Sequence, residues 1–122
     1  MTPAELRLRT KRFAVDVIRF AKTLPLDSVT SVVARQLVRS SSSVGANYRA
    51  SCRARSRADF IAKISIAEGE ADETVFWLEL LVEAGVVTEA AASPHLNEGE
   101  QLTRIFVASI NTARGGPRGK QR

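Results

Sequence analysis

Apolar residues recur at spacings of three and four along nearly the whole chain, and no alternating run of β-branched residues is long enough to compete with them. The sequence therefore reads as all-α. Thr2, Pro3 and Glu5 offer an N-cap, a first-turn proline and a capping-box partner for a first helix. Leu6, Phe13, Val17, Phe20, Ala21 and Leu24 share one side of it, and it must stop before Pro25. A second helix can begin at Asp27, Ser28 or Thr30, with Val33, Leu37, Ser41, Val44, Tyr48 and Cys52 on its buried side. Its middle, residues 40–46, is poor in helix propensity but rich in small side chains, which leaves two readings open: tight packing against a neighbouring helix, or a loop. Ser56 and Asp59 form a second capping-box pair ahead of Phe60, Ile64, Ala67, Ala71, Val75, Leu78 and Val82, and Gly85 suits the C′ position that ends that helix. Residues 86–93 read as a connection with a short turn at 88–92. Ser93 and Pro94 then cap a fourth helix carrying Leu102, Ile105, Phe106, Ser109, Ile110 and Ala113. Four helices with short connections predict an antiparallel up-down-up-down four-helix bundle over residues 1–114, followed by a basic, disordered tail at 115–122.

Composition narrows the chemistry. A chain of 122 residues with 44% hydrophobic and 25% charged side chains is one ordinary globular domain. One cysteine, Cys52, and one histidine, His95, cannot build a structural zinc site or an intrachain disulfide, which points to a reducing, cytoplasmic setting. Carboxylate-bridged metal sites in bundles use Glu-x-x-His motifs, and the chain has none. Cys52 reads as a small packing residue with no histidine near it, His95 as an exposed residue near the start of helix four, and Asn47 as a half-buried amide that bonds between helices. Glu79 and Glu83 break the longest apolar stretch, so no membrane span is predicted. No catalytic residue, metal ligand or cofactor is expected.

Charge carries more information once it is mapped. Residues 1–67 hold thirteen basic residues against Glu5, Asp16, Asp27 and Asp59; residues 68–103 hold nine acids and no base; residues 104–122 add five bases and no acid. On helix two, Arg35, Arg39, Arg49 and Arg53 fall within an arc of about 80° at ~100° per residue, opposite Leu37, Val44 and Tyr48. Arg55, Arg57 and Lys63 continue the positive charge around the next turn, and helix one adds Arg7, Lys11, Arg12, Arg19 and Lys22. Three roles are open to this surface: contact with RNA or DNA phosphates, pairing with an acidic neighbour, or plain solvation. Helix three presents the complementary feature, an acidic stripe of Glu68, Asp72, Glu79 and Glu83. Beside it, Ile66, Phe76, Trp77 and Leu80 form a second apolar arc beyond the core face. Such an arc marks either a self-association interface or burial beneath the 86–93 connection.

Three stretches carry a family resemblance: residues 39–50, running Arg-Ser-Ser-Ser-Ser-Val-Gly-Ala-Asn-Tyr-Arg-Ala; residues 55–61, with Ser56, Asp59, Phe60 and Ile61; and the acidic run at 67–73. Together they resemble the four-helix-bundle family encoded in intervening sequences of bacterial 23S ribosomal RNA, which is also similar to the accessory variability determinant of diversity-generating retroelements. The likeness spans residues 5–113. It implies an antiparallel bundle assembled into a homopentamer, with a positive surface that binds RNA or DNA and no enzymatic activity. One departure is local: where many members continue with Ile-Ala-Glu-Gly, this chain has Tyr48, Arg49, Ala50 and Ser51. The combined reading makes Arg35, Arg39, Arg49, Arg53, Arg55, Arg57, Lys11 and Arg12 the nucleic-acid contacts and Ile66, Phe76, Trp77 and Leu80 the oligomer interface. The alternative is a structural or adaptor protein whose charged stripes serve assembly and protein partners.

Overall fold

The computed structural model describes residues 1–115. The disordered-tail expectation for 115–122 thus lies outside the described residues from 116 onward. Four helices follow in order: α1 (Pro3–Ala21), α2 (Ser28–Ser51), α3 (Arg57–Glu83) and α4 (Glu89–Ala113). Each start has a local cause. Thr2 and Glu5 exchange hydrogen bonds in a capping box, the Thr2 amide to the Glu5 carboxylate at 2.8 Å and the Glu5 amide to the Thr2 hydroxyl at 3.1 Å. The Asp27 carboxylate accepts from the Val29 and Thr30 amides, which holds its pKa below the usual value. Ser56 accepts from the Asp59 amide at 3.0 Å, one arm of the expected capping box. Helix α3 ends in a Schellman motif: Gly85 at φ +75° directs its amide to the Val82 carbonyl, and the Val86 amide reaches the Leu81 carbonyl at 2.9 Å.

The links at 22–27, 52–56 and 84–88 are too short to run back along a helix. Six residues, the longest of them, reach at most about 22 Å, whereas a helix of 24 residues is about 36 Å long. Consecutive helices are therefore antiparallel. Helix α2 packs on α1 and α3, α3 packs on α4, and α1 meets α4 less extensively. The core runs down the middle through Phe13, Val17, Leu37, Val44, Ile64, Leu78, Leu81, Leu102 and Phe106. Tyr48 of α2 stacks on Phe106 of α4, with ring centroids 5.9 Å apart.

Residues 40–46 are helical throughout, so the tight-packing reading holds. Ser40 and Ser41 are fully buried. Burying hydroxyls requires partners for them: Ser41 lies 3.4 Å from the Val38 carbonyl, and the exposed Ser42 donates to the same carbonyl at 2.6 Å. Ser40 also meets the Thr74 hydroxyl of α3 at 2.8 Å, and Thr74 donates onward to the Glu70 carbonyl. A second close approach joins α3 and α4, where a Cβ on the buried Gly99 would lie 2.7 Å from Val75 Cγ2.

Four expectations are corrected. Helix α4 begins at Glu89, capped by Thr88, and Pro94 lies inside it. Three alanines with high propensity follow the cap, and Ala92 is fully buried, which outweighs one lost ladder bond at the exposed Pro94. His95 consequently falls on the second turn, half-buried with its ring centroid 4.9 Å from that of Phe20. Cys52 is exposed: it is the C-cap of α2, at the open end of the helix beyond its last buried residue, Ser51. Asn47 bonds within its own helix, to the Ser43 carbonyl and hydroxyl at 2.9 Å each, because a partner four residues back is the nearest acceptor.

Gly99→Val is expected to lower unfolding stability by about 1–3 kcal/mol through overpacking, and by less in a Val75→Ala background; equal losses in both backgrounds, measured by urea denaturation, contradict the contact. Burial holds the His95 pKa below its ordinary 6.5, only partly opposed by the Asp16 charge. The unfolded chain therefore binds a proton first as pH falls, so this contribution is intact above pH 6.5 and is lost below it. The melting temperature should fall more between pH 7.5 and 5.5 in the wild type than in His95→Phe, and parallel curves count against the assignment.

Candidate nucleic-acid interface

Helix α2 displays Arg35, Arg39 and Arg49 on its solvent side; Arg53 stands just past the helix end, and Arg55 and Arg57 follow on the turn into α3. All six are exposed, but they are not equivalent. Arg39 grips α3: its guanidinium donates to both Glu70 oxygens, at 2.9 and 3.3 Å, and to Glu73, while its Nε reaches the Gln36 side chain at 3.0 Å. Glu73 is held in turn by the Trp77 indole N–H at 3.1 Å. The carboxylates, Glu70 foremost, hold the Arg39 pKa above its ordinary value. This is a clamp between helices with its donors already engaged.

Three of the remaining predicted contacts, Lys11, Arg49 and Arg12, line two grooves. Lys11 of α1 and Arg49 of α2 flank a groove of about 540 Å³, together with Arg7, which the sequence reading left out of the candidate set. The floor is made of small or apolar groups, among them Ala14, Ser42 and Ala46. Within it α1 and α2 lie close at Gly45, where an added Cβ would stand 3.5 Å from Thr10. Arg12 instead lines the cleft between α1 and α4, beside Arg9, Asp16 and Glu98. There Arg9 donates two charge-assisted hydrogen bonds to Glu98, at 2.7 Å to each oxygen, which raises the Arg9 pKa. Among the described residues, the ion pairs are those of Arg9 with Glu98 and of Arg39 with Glu70 and Glu73; Arg7, Lys11, Arg35, Arg49, Arg53, Arg55 and Arg57 take part in none.

The acidic and apolar stripes lie on α3, the helix packed beside α2. Ile66, Phe76 and Leu80 are 46%, 50% and 38% exposed, so the 84–88 connection does not cover them. Trp77 differs, being half-buried and packed against the core, with an edge-on contact to Phe76. Among the described residues no group of three or more His, Cys, Asp or Glu side chains is placed to hold a metal ion, and no helix is long and apolar enough to cross a membrane.

Arg39→Ala should lower unfolding stability by roughly 0.5–1 kcal/mol, the range for a partly exposed ion pair, with a smaller effect in high salt; a stability unchanged at low salt, measured by urea denaturation, contradicts the clamp.

A family model described as 23S rRNA-intervening sequence protein matches residues 5–108. Among solved structures, a protein of unknown function from the S23 ribosomal protein family of Bacteroides thetaiotaomicron superposes with a TM-score of 0.83 at 33% sequence identity. That match covers 91% of this chain and 99% of the other. No curated protein matches the chain.

Proposed function

The chain belongs to the 23S rRNA-intervening sequence protein family, and from that premise we propose that it is a non-enzymatic, self-associating helical bundle that binds RNA or DNA through its basic side, chiefly by phosphate contacts. The observation that carries this reading is the segregation of charge. Arg35, Arg49, Arg53, Arg55 and Arg57 stand exposed on α2 and the turn after it, with Lys11 and Arg7 at the adjoining groove, and none of them is in an ion pair among the described residues. Arg39 is left out of the track because its donors already serve α3.

The chemistry favours phosphates over bases. Exposed guanidinium groups offer planar, forked donors that match phosphate oxygens. No aromatic ring stands among them to stack a base, since Tyr48, the aromatic residue of α2, is buried against Phe106. Contacts of this kind hold and orient a polyanion while reading little sequence. The homopentamer that the family resemblance implies would present five such surfaces, and joined sites raise avidity without new contacts. An adaptor role is the second reading, favoured by the exposed apolar residues of α3.

Binding of a short RNA duplex should weaken linearly in log affinity against log salt, with a slope near −4 if about four phosphates are neutralised. Arg35→Ala combined with Arg53→Ala should flatten that slope by about 2 units. Undetectable binding at low salt, or an unchanged slope in the double variant, rejects the nucleic-acid reading and leaves the adaptor one.

A further inference from the structure

Antiparallel packing brings the start of α1, the end of α2, the start of α3 and the end of α4 to one end of the bundle. A cleft of about 500 Å³ opens there and is lined from all four helices. Leu6, Phe60 and Ile105 supply apolar wall, together with the ring of Tyr48, while Arg7 and Cys52 are polar members of the lining. Tyr48 is 6% exposed, and its stacking on Phe106 fixes the direction of the phenol. Burial, followed by the neighbouring Cys52 thiol, pushes the Tyr48 pKa up to about 12, opposed by the Arg7 charge. The hydroxyl is therefore a donor at neutral pH. A thiol is a weak acceptor, so that donor is poorly served within the chain. Arg7 is exposed and takes part in no ion pair among the described residues.

An apolar wall with a few converging polar groups is the ordinary make-up of a small-molecule site, and the volume falls in the usual range. The two polar groups that stand out, a buried phenol O–H and an unpaired guanidinium, are both donors, and one carries a positive charge. A carboxylate complements them, because it only accepts and can take several donors at once. We infer that this cleft binds a small monocarboxylic acid, its apolar body lying against Leu6, Phe60 and Ile105 and its carboxylate held by Arg7 and the Tyr48 hydroxyl. A cationic ligand would meet Arg7 and find no carboxylate among the described residues of the lining. Inorganic phosphate would satisfy the donors and leave the apolar wall in water. Of the residues assigned above to phosphate binding, Arg7 alone lines the cleft, so the inference stands whether or not nucleic acid binds.

Octanoate and phenylbutyrate are the probes, titrated calorimetrically into the intact protein. With about ten to twelve heavy atoms each, they should bind with a Kd of about 1 mM or tighter. Octanol and octylamine keep the apolar body and should bind about tenfold more weakly, the scale of one lost charge-assisted hydrogen bond. Arg7→Gln should weaken octanoate by about tenfold and leave octanol unchanged. Tyr48→Phe keeps the ring and its stack on Phe106, and should weaken octanoate by about fivefold. Cys52, the chain's single cysteine, reports the location: octanoate should slow its alkylation by iodoacetamide, with half the effect reached at the Kd. No saturable binding of either acid, equal affinity for octanoate and octanol, or alkylation of Cys52 unaffected by saturating octanoate each overturns the proposal. So does wild-type affinity for octanoate in both Arg7→Gln and Tyr48→Phe, with folding verified by circular dichroism.

Discussion

The closeness of α2 to α3 governs the rest of this molecule. Where they meet, α2 presents the small, fully buried Ser40 and α3 the fully buried Thr74. At such a distance two buried hydroxyls, Ser40 and Thr74, can bond to each other at 2.8 Å. A single neutral bond of this kind contributes about 1 kcal/mol net, against about 1.5–3 kcal/mol for burying each large apolar side chain such as Leu37, Ile64 or Phe106. The core therefore supplies most of the stability, while the hydroxyl pair selects the register, because a shifted α3 would leave Ser40 facing a methyl group.

That register decides what the surface can do. It brings Arg39 opposite Glu70 and Glu73 and so consumes one arginine of the α2 stripe in holding the bundle together. The arginines on either side, Arg35 and Arg49, are left facing solvent, and the turn extends them with Arg53, Arg55 and Arg57. Among the described residues, none of the remaining carboxylates of α3 pairs with them. A molecule that packed the same helices with its charges interleaved would neutralise both stripes locally. Here they stay apart, and each remains available to a partner of opposite sign.

Much of the fold was legible because local rules and the global pattern agree. The Thr2–Glu5 box, the Asp27 cap and the glycine after α3 each act over three or four residues, so their signals sit next to the structure they produce. The start of α4 was misread because Pro94 is a strong local signal, and the burial of Ala92 that overrides it is a tertiary fact. His95 was misplaced by the same error. Cys52 and Asn47 were judged by helical angle alone, which fails where a helix ends and where a side chain can bond to its own turn. For the candidate site, the exposed arginines of α2 could be read from periodicity. The engagement of Arg39 and the recruitment of Arg7 to the groove depend on which residues of different helices face one another.

The central claim is that charge segregation makes the α2 side and the turn after it a phosphate-binding surface. Photo-crosslinking a short RNA duplex to the intact protein, with the attachment points mapped by mass spectrometry, tests it directly. The account predicts crosslinks concentrated in residues 35–57 and suppressed by salt. Crosslinks on α3 between residues 68 and 83, or spread evenly over the exposed surface, would contradict it.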